Sequence, residues 1–280
     1  MNVTMIYDQL AYFQVFFSSC LVVGTSRGLG AALVERLLNL GFTPIIGISR
    51  TGIEHLRQYD WARSDRYRHV ELDVSSQDAA ERLHDVVAEL PPGPLLVIYN
   101  AASVKSDIRA DGRLDFGVFK EVNEVGVTGL GHVLQAVEGH LLGHGGTFVG
   151  ISSYAALAPP VRAARIAYPA SKAYLDMALR SLRHAWRGRA RVVIAHLGHI
   201  GGSEKGTFSR WICPSYATTA HRILKALTSE RVTEEINYTF PYAIVYKYLL
   251  PFLPESLYFF LFSKAFGRRE DQGSLANPST

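Results

Sequence analysis

Six runs rich in aliphatic and β-branched residues recur along the chain: FFSSCLVV (16–23), TPIIGIS (43–49), RHVELDV (68–74), PLLVIYN (94–100), GTFVGIS (146–152) and ARVVIAHL (190–197). Each ends in a polar or glycine-containing turn, which predicts strands. Between them lie stretches with apolar residues at i, i+3 and i+4, such as GAALVERLLNLG (30–41), whose final Gly41 is a helix stop. Strand and helix alternate through most of the chain, so crossover units and a parallel sheet are expected. Strands this uniformly apolar suit a sheet covered on both faces. The expected fold class is α/β, a doubly wound parallel sheet with helices on both faces in a single domain over 15–235. Its first strand is expected at Val15 to Val23, after a short N-terminal extension, 1–14.

The texture changes near residue 230. From Tyr238 to Phe266 aromatic residues crowd together, interrupted by Pro241, Pro251, Pro254, Lys247 and Glu255. Those interruptions argue against a membrane span. Residues 236–266 are read as an aromatic-rich lid over the substrate, with an interfacial contact to membrane or a subunit interface as alternatives. Residues 267–280 are polar and expected to be a flexible tail.

Composition narrows the class. The chain has 280 residues, 48% of them hydrophobic, and a formal net charge of +4. The Lys and Arg residues of 161–191 are scattered at helical spacing, which favours a solvated helix face over a nucleic-acid patch. Cys20 and Cys213 are too few for a disulfide framework and lack metal-ligand spacing, so a reducing, cytoplasmic setting is expected. His196 and His199 have no third ligand at a recognisable spacing. A packed or substrate-facing role is expected for them, and no metal.

Chemistry enters at VVGTSRGLGAALVERLL, where Gly24, Gly28 and Gly30 lie between a predicted strand and a predicted helix. Glycines there let the backbone turn tightly and approach a pyrophosphate, whose charge meets helix N-terminal amides. The spacing is G-x-x-x-G-x-G, and turns need glycine anyway, but its place between strand and helix favours a Rossmann-type dinucleotide site. Ser26, Arg27 and Leu29 belong to the same loop. An NAD-preferring site carries an acid at the end of the second strand; here IGISRT places Arg50 there. Two guanidiniums, Arg27 and Arg50, suit a 2′-phosphate, so NADPH/NADP+ is expected over NADH.

YPASK (168–172) places a tyrosine before a proline and a lysine four residues on. Proline is tolerated at a helix start and pushes the preceding residue towards an extended conformation, so Tyr168 is expected to precede the helix, with Lys172 one turn in. Helical rise brings the two side chains to one side. A free phenol titrates roughly three units above neutrality, and an adjacent ammonium would lower it, making an acid/base pair. A helix cap with an aromatic on the core is the alternative.

At this point the sequence resembles the short-chain dehydrogenase/reductase family, over roughly residues 18–205, through GTSRGLG, LDVS, YNAA, VNEVG, ISS and YPASK in that order. The resemblance implies that Tyr168 exchanges a proton with a carbonyl or alcohol oxygen. Lys172 would lower its pKa and hold the nicotinamide ribose, and Ser153 would orient the carbonyl. Asn123 would position a proton-relay water. Asp73 would contact the adenine, with Val74 beside it, and Asn100 and Ala101 would line the cofactor, as would Gly198 and Ile200 after the sixth strand. It also implies a homodimer or homotetramer, often built on the helices that carry Asn123 and Tyr168.

Departures from the family pattern are equally specific. Val23 replaces a threonine before the first glycine, and Tyr99 replaces the first asparagine of the usual NNAG, so two structural hydrogen bonds must be made otherwise. The loop YAALAPPVRAARIA after Ser153 is longer than common. HLGHIGGSE has Leu197 where the family often has proline, with Gly202 and Ser203 near its later threonine. The expected function is NADPH-dependent interconversion of a ketone or aldehyde and an alcohol, on an apolar substrate. The alternative is a non-catalytic NADPH-binding sensor or partner subunit of the same fold.

Overall fold

A computed structural model describes residues 16–158, 165–202, 213–228, 234–238, 243–254, 256–257 and 260. The expected N-terminal extension with Val15, residues 239–242, 255, 258–259 and 261–266 of the aromatic-rich segment, the segment 203–212 with Ser203, and residues 159–164 of the loop after Ser153 lie outside the described residues, as does the tail 267–280.

All six expected strands form, each within a few residues of its sequence run: β1 Ser19–Val23, β2 Ile45–Ser49, β3 Tyr67–Glu71, β4 Leu95–Tyr99, β5 Gly146–Ser153 and β6 Arg191–Leu197. A seventh, β7 Glu235–Tyr238, was not expected. It pairs with β6 from Ile194↔Glu235 to Leu197↔Tyr238, so residues 236–238 belong to the sheet and not to the aromatic segment they were grouped with. The sheet is parallel throughout, in the order β3-β2-β1-β4-β5-β6-β7. β3 stops at Glu71, short of the run RHVELDV, because Asp73 turns the chain by accepting from Ser75 N at 2.9 Å.

Strand residues alternate between two cores. Cys20, Val22, Leu96, Ile98 and Val193 face α1 (Gly28–Asn39) and, later in the chain, a helix at Tyr216–Leu227. Leu21, Val23, Val97, Phe148 and Ile194 face the opposite layer, made by α2 (Ala79–Ala88), α4 (Gly129–His144) and α5 (Ala167–Ala185). Between α2 and α4, α3 (Phe116–Asn123) runs through a π turn, Glu124–Thr128, into α4. The helix at Tyr216–Leu227 is α6. Strand order reverses between β1 and β4, and a crevice opens at the carboxyl ends of the strands at such a reversal. Among the described residues no helix is long and apolar enough to cross a membrane.

Candidate active site

The crevice is a groove of about 930 Å³ running from Arg50 and Tyr59 at one end to Ser153, Tyr168 and Ile200 at the other. Its floor is the glycine loop. Gly24 (φ 92°) and Gly28 (φ 60°) occupy the left-handed region that favours glycine. A Cβ on Gly30 would lie 1.8 Å from Gly24 O, so Gly30 serves close packing of loop on helix and does not itself line the groove. Asn100 fastens the loop by donating from Nδ2 to Gly24 O at 2.9 Å. The first turn of α1 has no side-chain cap and no acidic residue. Its amides therefore suit an anionic group, and Ser26, Arg27 and Leu29 border the same space.

The end of the groove at Arg50 is charged. Arg50 lines the groove, and its guanidinium lies 3.7 Å from Asp73 and 3.6 Å from Glu121. Asp73, Val74, Ala101, Gly198 and Ile200 also line it. Asn123 does not: its amide donates back to Phe119 O at 3.0 Å, at the point where α3 passes into the π turn. Tyr99, which stands in place of the family asparagine, donates from its hydroxyl to Val125 O of that π turn at 2.5 Å.

Ser153, Tyr168 and Lys172 come together at the far end. α5 begins at Ala167, so Tyr168 lies inside its first turn and not before it. The reason is Asp107, fully buried, whose carboxylate accepts from Ile166 N at 2.8 Å and Ala167 N at 2.7 Å. Pro169 then falls where a missing N–H costs no helix bond. Tyr168 and Ser153 line the same end of the groove, and the Ser153 hydroxyl favours ionisation of the phenol. The Lys172 ammonium lies 5.9 Å from the centre of the Tyr168 ring and donates to Ile151 O at 2.7 Å. Burial pulls Lys172 down to about 8, with Asp176 pulling it back up. Burial pushes the Tyr168 phenol up, and Ser153 and Arg165 only partly offset it. The expected lowering of Tyr168 is therefore outweighed by desolvation.

Several residues at this end carry no local signal. Ser152, expected only to finish the strand, hydrogen-bonds Asp176 Oδ1, while His196 Nε2 lies 2.6 Å from Asp176 Oδ2. His196 is fully buried, a packed residue as expected. Tyr216 opens α6 and lays its ring across Gly28 and Gly201. A tyrosine after an N-capping serine reads in sequence as a plain helix start.

A family model described as short chain dehydrogenase matches residues 18–207. The chain belongs to the short-chain dehydrogenase family. An uncharacterized oxidoreductase of Myxococcus xanthus is 31% identical over 191 residues, 67% of this chain and 74% of that protein. Estradiol 17-beta-dehydrogenase 2 of Rattus norvegicus is 29% identical over 198 residues, 68% of this chain but only 50% of the rat protein. Among solved structures, a short chain dehydrogenase from Burkholderia cenocepacia in complex with NADP has a TM-score of 0.69 at 22% identity, over 87% of this chain and 97% of that one. An NADPH-bound carbonyl reductase from chicken fatty liver has a TM-score of 0.67 at 21% identity, over 80% and 93%. These likenesses bear out the doubly wound single-domain sheet, and with the family match they make this short-chain dehydrogenase an oxidoreductase.

Proposed function

We propose that the protein is an NADPH-dependent oxidoreductase that interconverts a ketone or aldehyde and an alcohol through Ser153, Tyr168 and Lys172. The observation that carries the reading is their convergence: Ser153, Tyr168 and Lys172 line the same end of the groove, opposite Arg50, with the buried Lys172 ammonium 5.9 Å from the centre of the Tyr168 ring. In reduction the Tyr168 O–H gives its proton to the carbonyl oxygen, which Ser153 Oγ orients. Burial keeps that phenol protonated at neutral pH, so the proton is present to be given. The phenolate left behind is stabilised by the Lys172 ammonium.

A bound nicotinamide would supply the hydride, and the groove fits a dinucleotide. The uncapped α1 amides suit its pyrophosphate. Arg27 and Arg50 suit a 2′-phosphate, although Arg50 must share its charge with Asp73 and Glu121. Two relatives are named for NADP or NADPH complexes, which supports the same preference. An apolar substrate is supported by Tyr154, next to Ser153, packing against Tyr246 with ring centres 6.1 Å apart. A relative named for estradiol agrees with it.

The test is the rate of NADPH and NADH oxidation with a panel of apolar ketones and aldehydes. NADPH should be preferred, and Tyr168→Phe should lower kcat by about 10²-fold or more. Tight NADPH binding with no turnover on the panel would reject the enzyme reading in favour of a cofactor-binding sensor.

A further inference from the structure

The ammonium of Lys172 is buried, at 5% exposure, and one helical turn later on α5 stands Asp176, at 6%. Both carboxylate oxygens of Asp176 are engaged from below, Oδ1 by Ser152 Oγ and Oδ2 by His196 Nε2. Ser152 and His196 are register partners on β5 and β6, and Ile151, whose carbonyl receives Lys172, precedes Ser152. Ser152, Asp176 and His196 form a hydrogen-bonded chain beneath α5, and Lys172 reaches the same strand through Ile151 O.

Proton positions follow from the bonding. Among the described residues, the buried His196 Nδ1 has no hydrogen-bond partner. A protonated imidazole would leave an unsatisfied N–H there, whereas a neutral ring with its proton on Nε2 donates to Asp176 and leaves Nδ1 as an idle acceptor. Asp176 is then a carboxylate with its negative charge intact, beside one buried ammonium. Isolated buried charges are costly, and opposite ones are retained as pairs. We infer that Asp176 is a positioning residue for the reaction, the internal counter-ion that keeps Lys172 charged beneath Tyr168, with Ser152 and His196 holding the carboxylate in place.

This rests on the reading of Tyr168 and Lys172 given above. The other groups that face the pair do not replace Asp176. Tyr168 on α5, Ser153 at the end of β5 and Tyr154 after it are neutral when protonated. Glu235 on β7 faces His196, but Lys247 and Arg180 take up its charge. The Tyr154 ring stacks on His196 at 6.0 Å and closes the chain from the side of the aromatic segment. Asp176 pulls Lys172 upward against its burial, in agreement with the geometry.

The experiment is an NMR titration of Cε-labelled lysine in the full chain, with the Lys172 signal assigned through Lys172→Arg. In Asp176→Asn, which keeps the size and the bonding reach of the side chain, the Lys172 midpoint should fall by about one pH unit, a tenfold change. Alcohol oxidation by that variant should lose kcat above neutral pH while KM stays near that of the wild type. If the amide does not fold, Asp176→Leu with His196→Leu replaces both buried partners by apolar ones and should lower the midpoint likewise. An unchanged Lys172 midpoint in the variant that folds would overturn the inference, and would leave the Tyr168 reading standing if Tyr168→Phe still abolishes turnover. A lowered midpoint in a chain that turns over no carbonyl would support the pair and reject the reading of the site.

Discussion

At the scale of single residues, the site is costly to build. Taking Lys172 from its ordinary value of 10.5 to about 8 corresponds to about 3 kcal/mol of folding free energy at neutral pH. The unfolded chain binds more protons than the folded one between about 8 and 10.5, so this cost is fully present below 8 and fades as pH rises through that window. Lys172→Met removes the cost but orphans Ile151 O, which loses about 1–3 kcal/mol. The variant should therefore be as stable as the wild type or more so at pH 7, and less stable at pH 10.5. Denaturant unfolding of both proteins at the two pH values checks this. A stability difference that does not change sign or shrink with pH would mean that Lys172 is not desolvated. Tyr168 shows the same trade: its burial opposes ionisation, and Ser153 and Arg165 offset only part of that.

At the scale of elements, the placement of Tyr168 depends on how α5 starts. No side chain of its own caps this helix, and Asp107 supplies both missing acceptors from 59 and 60 residues away. Asp107→Ala should cost about 2–4 kcal/mol, since two charge-assisted bonds to buried amides are lost. It should also lower kcat by loosening Tyr168, and unfolding and turnover measured on one preparation would test both. Full activity in Asp107→Ala would mean that α5 starts correctly without it. The same contrast explains what could be read in the chain. The glycine loop, the strand-to-helix alternation and the Tyr168 and Lys172 spacing are local patterns, and each is visible in the sequence, although the helix starts one residue before Tyr168 and not after it. Asp107, Ser152, Asp176, His196 and Tyr216 act only once distant segments meet, so no local spacing marks them. β7 escaped because it is a four-residue edge strand, Glu235–Tyr238, at the start of an aromatic-rich stretch that masks its alternation.

At the scale of the whole molecule, apolar side chains remain on one flank. Phe116 on α3 is 66% exposed, and Met177 on the adjoining α5 is 67% exposed, with Tyr174 beside it also exposed. Phe116 stacks on Phe119 at 6.1 Å, so the patch is ordered by its own contacts. Basic residues on the other side of α5 do not extend it into an anion-binding face: Arg180 pairs with Glu235 and Arg183 with Glu234. A second copy of the chain, related by a two-fold axis, would meet the apolar flank with the same side chains, which is what a self-complementary interface requires. The wild type should thus sediment as a dimer or tetramer at micromolar concentration. Met177→Glu with Phe116→Glu should give a folded monomer, because each interface would bury unpaired charges at its centre. Since α5 also carries Tyr168 and Lys172, that monomer should lose activity together with its partner, in proportion to the fraction dissociated at each concentration. A wild type that sediments as a monomer would rule out this flank as the interface, and a variant that stays oligomeric would place the interface elsewhere on the surface.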